Sequence, residues 1–171
     1  MYRVGILEAA GGQVAPRLQE ELQAAGRELP MLLTCGERFS CFRGTYDLFV
    51  VAATAAGAIL PPDVGNQPIQ AGILLVPGSA AAELMPAFQA DCVVTYGLSG
   101  KDSITLSSLN RHTAVLALQR EFRTLLGEMV GQQEIPIRFA HSMSAPTLMA
   151  VYGCLYALGI FSGAAELCDK R

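Results

Sequence analysis

The sequence predicts an α/β fold: three layers built on a mostly parallel, Rossmann-like sheet, with an antiparallel extension in the second half. Three observations carry that expectation. Short apolar runs alternate with helical or turn-rich stretches through the first half of the chain, as they do where helices cover both faces of a parallel sheet. Several of these runs are apolar at nearly every position, the composition of strands buried on both sides. After Ser103 the apolar residues fall nearly every second position between turn-like segments, which is the pattern of antiparallel strands.

Taken in order, Tyr2 to Leu7 reads as the first strand. Val14, Leu18 and Leu22 then recur every four residues, the buried stripe of a helix that Gly26 can end. "MLLTC" (31–35), "DLFVVAA" (47–53), "GILLVPG" (72–78) and "CVVTYG" (92–97) predict further strands filled on both faces. Between Gly57 and Gly72 three prolines and Gly65 mark a surface loop or a proline-started short helix. Ser79 is the expected N-cap of a helix that Pro86 kinks or ends near Leu84 or Met85. "SITLSSL", "TAVLALQREFRTL" and "EIPIRF" predict antiparallel strands, separated by the turn-like "NRH" and "GEMVGQQ". Pro146 falls in the first turn of a last helix, which runs to Leu158 with Gly159 as its C′ residue.

A chain of 171 residues has the length of one domain, expected over 1–171. It is 51% hydrophobic and only 16% charged, the balance of a packed core and not of a disordered tail. Its net charge is −3, and ten Arg with two Lys (Lys101, Lys170) are scattered without a basic stripe, which argues against nucleic acid as a partner. The longest apolar stretch, Ala145 to Phe161, contains small and polar residues and reads as a buried helix, so no membrane span is expected. "MYRVGILE" lacks the features of an export signal, and a cytoplasmic location is the expectation. Cys35, Cys41, Cys92, Cys154 and Cys168 form no Cys-x-x-Cys pair, which disfavours a disulfide framework and a zinc knuckle. Cys35 and Cys41 are close enough in sequence to be considered as a redox pair, but nothing beside them activates either thiol.

Two segments suggest a family. "CVVTYGLSGKDSITLSSL", followed by "IPIRFAHSMSAPTLMAVYGCLYALGI", resembles the second half of the ATP-binding central domain of the Mur ligases, the cell-wall amino-acid ligases, and their folylpolyglutamate synthase relatives. Tyr96-Gly97, His141 and Leu158-Gly159-Ile160 occupy the places of that family's strand-ending Tyr-Gly, its helix-start His and its Leu-Gly-Ile. Gly5 to Gly26 stands where the resemblance puts the first strand, phosphate loop and helix. The departures decide the activity. Against the family's Gly-Thr-Asn-Gly-Lys-Thr-Thr this chain has Glu8, Ala9, Ala10, Gly11, Gly12, Gln13 and Val14. A phosphate loop needs the Lys charge at the terminal phosphates and the following hydroxyl on Mg²⁺; Gly12 and Gln13 supply neither, and Glu8 brings a negative charge towards a polyanion's place. The two Asn that the resemblance assigns to adenine recognition correspond to Ser142 and Ala145, and the family's modified metal-site lysine has no evident counterpart. The stretch between the first helix and Tyr96 is shorter than in an active ligase, and no amino-acid-binding domain is expected after Arg171. The expectation is therefore a degenerate, non-ligase domain that binds a small ligand or a protein partner, in the manner of a homodimer, with no cofactor and no metal.

The candidate ligand-binding residues are Gly11, Gly12, Thr95, Gly97, Ser99, Gly100 and Lys101. "TYGLSGKDS" lies at the carboxyl end of a predicted central strand, where open α/β sheets place ligands. There Gly97 and Gly100 can open a nest of backbone donors for a small anion, with Ser99 and Lys101 beside it; an ordinary turn, with Asp102 pairing to Lys101 or water, is the alternative. His141 and Lys101 are the candidate catalytic groups of a second reading, a transferase or hydrolase acting on an acidic metabolite. For His141 the competing account is a residue packed beside the helix start, and His112 reads as a solvated turn residue. "GLSGK" puts its first Gly one place off for a nucleophile elbow and precedes a strand. Anion binding by the backbone at the first helix start requires Glu8 to point away.

Overall fold

The computed structural model describes residues 1–26, 29–56 and 67–160. Most of the predicted proline-rich loop, from 57 to 66, lies outside them, as do Cys168 and Lys170. The chain is α/β. Strands β1 (Tyr2–Leu7), β2 (Met31–Gly36), β3 (Thr45–Val51), β4 (Ile69–Pro77), β5 (Phe88–Tyr96), β6 (Ile104–Leu109), β7 (Thr113–Leu118) and β10 (Gln133–Arg138) form an eight-stranded sheet in the order β10-β7-β6-β5-β4-β3-β1-β2. The pairs from β2 through β6 are parallel, while β6, β7 and β10 pair antiparallel. The hairpin β8 (Phe122–Arg123) and β9 (Met129–Val130) stands apart as a second small sheet.

The helices take unequal shares of the two faces. Helices α1 (Val14–Ala24) and α4 (Ala145–Ala157) pack against each other and on one face, over Val4, Ile6, Leu48, Leu75, Tyr96, Leu116 and Ile135. Gly153 lets α4 come down on the sheet: a Cβ there would meet Leu75 Cδ2 at 3.0 Å and Ile104 Cδ1 at 3.1 Å. The opposite face carries the one-turn helices α2 (Ala53–Ala56) and α3 (Ala81–Leu84) and an edge-to-face aromatic cluster. Phe49 is its hub, 4.8 Å from Phe42, 5.2 Å from Tyr46 and 5.1 Å from Phe88 between ring centres. Such contacts add to the area each ring buries.

Several local expectations are corrected. "MLLTC" is not filled on both faces: β2 is the sheet's edge and Leu32 is 47% exposed. Neither is all of "CVVTYG", since Val93 on β5 is 38% exposed. A continuous apolar run reports composition, and it does not say whether a helix lies above each position. Ser79 does not cap a helix: it sits in a 3-10 turn, Gly78–Ala80, before α3, whose N-cap is Ala80. The α-helix does end at Leu84, passing into a 3-10 turn, Met85–Ala87, that contains Pro86. "TAVLALQREFRTL" is not one strand but β7 followed by β8, and "GEMVGQQ" contains β9. Leu125 N–H bonds Ala157 O at 2.8 Å, so this hairpin closes the end of α4. α4 itself runs as predicted, buried nearly throughout, with Leu158 as cap and Gly159 at φ +76°.

The step from β5 to β6 has an unusual form. The strands are parallel yet only seven residues separate them, 97–103, and one pair, Tyr96↔Ile104, joins them. β6 therefore starts beside the point where β5 ends and continues in the same direction, displaced sideways by one strand.

Candidate functional site

The five parallel strands β2-β1-β3-β4-β5 reverse their order between β1 and β3. In open α/β sheets the crevice beyond the carboxyl ends at such a reversal is where ligands bind, because the chain leaves the two strands towards opposite faces. A cavity of about 420 Å³ lies there, between Gly11–Val14 after β1, Ala52–Thr54 after β3, and Ser144, Pro146 and Thr147 at the start of α4. Two helix starts thus border one crevice. Among the described residues, the polar side chains that line it are the Gln13 amide and the hydroxyls of Thr54, Ser144 and Thr147, and none that lines it is Lys or Arg.

Helix starts attract anions through unpaired N–H groups and the helix dipole. Here the chain supplies its own anion. Glu8 leaves the end of β1 and turns its carboxylate back onto α1, accepting from Val14 N–H at 2.9 Å and Ala15 N–H at 3.3 Å. The next residue, Pro16, has no N–H to offer, and Arg17 N–H already bonds Gln13 O. Glu8 is 8% exposed. Gly12 makes room for it, since a Cβ at Gly12 would collide with the Glu8 carboxylate. Glu8 therefore points at the helix, not away from it, and the condition for backbone anion binding there is not met. Gly11, at φ +74°, closes the turn together with a Gly12 N–H to Ala9 O bond of 2.9 Å. At α4, Ser144 Oγ accepts from Thr147 N–H, and Pro146 removes another donor.

The same device recurs in the loop after β5. Asp102, 5% exposed, turns its carboxylate inward and accepts from Ser99 N–H at 3.0 Å, while Lys101 N–H bonds Ser99 Oγ at 3.2 Å and Asp102 N–H bonds Ser99 O at 3.0 Å. Gly78 and Gly97 flank the carboxylate; a Cβ on Gly97 would stand 2.5 Å from Oδ2, and one on Gly78 would overlap Oδ1. Asp102 does not pair with Lys101, whose side chain is exposed; the ion pair among the described residues is Arg17–Glu20. Thr95 is joined to Ser103 through Ser103 N–H to Thr95 Oγ1, 3.1 Å. Tyr96 OH donates to Val51 O at 2.8 Å, reaching past β4 to finish the end of β3, and burial pushes its phenol well above the ordinary range.

The sequence-predicted residues are thus not one site. Gly11 and Gly12 border the crevice after β1, whereas Thr95, Gly97, Ser99, Gly100 and Lys101 stand at the end of β5, three strands along the sheet from β1, roughly 14 Å at sheet spacing. His141 is exposed and is not part of the crevice lining. Glu21 accepts from Tyr152 OH at 3.2 Å, linking α1 to α4, and Tyr152 OH also meets Arg138 O at 3.1 Å. Burial outweighs these contacts and raises the Glu21 pKa above 4.5. A carboxyl raised on folding stabilises the fold in its protonated form, so that contribution is complete below about pH 4.5 and is lost as pH rises through the shifted value. Glu21→Gln should flatten the stability profile over that window while keeping a partner for Tyr152, and thermal melts from pH 4 to 7 check it.

Cys35 and Cys41 do not form a pair. Cys35 pairs in register with Ile6 on the α1 side, while Cys41 lies against Gly36 beside Phe42 on the aromatic side, so the sheet separates them. Burial, and next the Glu8 charge, push the Cys35 thiol up, away from reactivity. Among the described residues no three His, Cys, Asp or Glu converge on a metal position, and no helix is long and apolar enough to cross a membrane. Sequence reasoning missed Thr54, Ser144 and Thr147. For Ser144 a signal existed, a Ser two places before the proline that opens a helix; for Thr54 there was none, because strand order decides which loops meet. A search against protein-family models finds no match to this chain, and a search of curated proteins finds none either.

Proposed function

We propose that this chain is a non-ligase relative of the Mur-ligase central domain that binds a small polar ligand, without a polyphosphate, in the crevice between β1 and β3. The observation that carries the reading is Glu8: its carboxylate fills the helix start at which a phosphate would be held, beside a crevice whose described lining offers hydroxyls and an amide and no cation. A triphosphate there would meet negative charge at short range and no compensating Lys. The chain order also suits the resemblance, with Tyr96-Gly97 closing β5, antiparallel strands next, and a helix ending at Leu158-Gly159-Ile160 last. A transferase or hydrolase at Thr95–Lys101 draws no comparable support, because Asp102 and Ser99 engage that loop's own donors and His141 is exposed outside the crevice lining.

The test is a thermal-shift screen of uncharged, cationic and phosphorylated metabolites, with calorimetry on Mg²⁺·ATP. Stabilisation by members of the first two classes, abolished by Gln13→Trp, is the expected outcome. Gln13 is exposed, and its side chain bonds only Gly11 O among the described contacts, so the indole would fill the crevice without entering the core. Micromolar binding of Mg²⁺·ATP would overturn the reading.

A further inference from the structure

Helix α4 is buried at consecutive positions from Leu148 to Ala157, so it is covered all round and not along one stripe. Strand order alone does not explain this, because five strands lie between β10 and β1, and α1 follows β1. The two ends of the structure nevertheless meet over α4. Tyr152 OH lies 3.2 Å from Glu21 Oε2 on α1 and 3.1 Å from Arg138 O on β10. The sheet therefore curls round α4 until its last strand comes beside α1, and a hydroxyl stands at the closure.

The ladder shows why Arg138 O meets a side chain. Phe139 N–H bonds His112 O at 3.1 Å, so residues 135, 137 and 139 turn their backbone groups to β7 and residues 134, 136 and 138 turn theirs to the outer edge. Pro136, with no N–H to lose, stands at one of these outward positions. The Tyr152 hydroxyl has one proton, and Glu21 and Arg138 both present acceptors to it. An ionised Glu21 and Arg138 O cannot both receive that proton. A protonated Glu21 removes the conflict, because its own O–H donates to the Tyr152 oxygen and leaves the phenol proton to Arg138 O. Burial acts in the same direction by raising the Glu21 pKa above 4.5. It also holds the Tyr152 phenol well above its ordinary range, so of the two the carboxyl gives up its proton first. The other charges that bear on Glu21 are Glu20 and Arg17 on α1, paired with each other, and His141 ahead of α4. Tyr156 on α4 acts on Tyr152, and the Arg138 side chain is turned out to solvent.

We propose that Glu21, Tyr152 and the Arg138 carbonyl are a proton-operated latch that closes the sheet round α4. With Glu21 protonated, Glu21 O–H donates to Tyr152 and Tyr152 O–H donates to Arg138 O, so α1, α4 and β10 are joined in one chain of bonds. When Glu21 ionises, its proton passes to solvent, the Tyr152 hydroxyl turns to the carboxylate, and Arg138 O loses that donor. The tie between α1 and α4 survives, while the tie to β10 opens. The closed form is complete below about pH 4.5 and opens as pH rises through the shifted Glu21 value. None of the three residues lines the crevice, so the latch stands or falls independently of the ligand-binding reading.

Carbon NMR on labelled protein, titrated from pH 4 to 8, tests the proposal. The Glu21 carboxyl should titrate with a midpoint above 4.5, and the Arg138 carbonyl and the hydroxyl-bearing ring carbon of Tyr152 should shift at that same midpoint. Glu21→Gln, whose amide N–H donates to Tyr152 as the protonated carboxyl does, should hold the Arg138 carbonyl at the parent's acid-limit position at every pH. In Tyr152→Phe the Glu21 carboxyl should still titrate while the Arg138 carbonyl stays still, which separates a switched bond from the field of a nearby charge. The parent and Glu21→Gln decide the matter if the phenylalanine chain fails to fold. A Glu21 midpoint at or below 4.5, an Arg138 carbonyl indifferent to it in the parent, or an Arg138 shift that persists in either variant overturns the proposal.

Discussion

Glu8→Ala should lower stability by about 2–3 kcal/mol, because it strips a charged acceptor from two buried N–H groups and leaves them unpaired. For a domain of this size that is a fall in Tm of roughly 5–10 °C. The variant should also gain a property. With the internal carboxylate gone, the start of α1 becomes an open anion site, so inorganic sulfate or phosphate should recover part of the lost Tm in the variant and leave the parent unchanged. Gly12→Ala should cost a comparable amount by displacing the same carboxylate, and combining the two substitutions should cost little more than Glu8→Ala alone. Equal anion responses in parent and variant would show that Glu8 does not occupy the site.

Asp102→Ala should cost about 1–3 kcal/mol by the same physics, with its effect confined to the loop between β5 and β6. Ser99 N–H should lose protection in hydrogen exchange while the amides of β4 and β5 keep theirs. The sharper measurement is a double-mutant cycle with Gly97→Ala. The alanine alone forces the carboxylate out of a space measured at 2.5 Å, so it should be harmful in the parent and nearly neutral once Asp102 is gone. Additive effects would mean that Gly97 serves backbone conformation only.

These two carboxylates also show where sequence reasoning reached and where it stopped. The element list was readable because period and punctuation are local: Val14, Leu18 and Leu22 mark α1, and Pro146 and Gly159 bracket α4. That no Lys stands in the turn after β1 was readable for the same reason, being a matter of residue type at each position. What Glu8 does instead was not, since the sequence shows a negative charge near a helix start but not which way a rotatable side chain turns. For Asp102 the sequence offers its neighbour Lys101 or water as partners, and neither choice shows that the carboxylate turns inward. Its burial follows from Gly78, a residue on a different strand connection, whose absent side chain opens the space. The crevice itself depends on β3 returning beside β1 and not beside β2. Strand order is a global property, and no local pattern in residues 52–54 announces it.

The sideways step at Tyr96 bears on how the molecule holds together under load. With one bridging pair between its parallel and antiparallel portions, the sheet resembles two leaves meeting at a narrow seam, and α4, which touches β3, β4, β5 and β6, is the splint laid across it. Pulling on the two leaves would open that seam first, and a chain cut ahead of Ala145 would be left with halves that have lost their common backing.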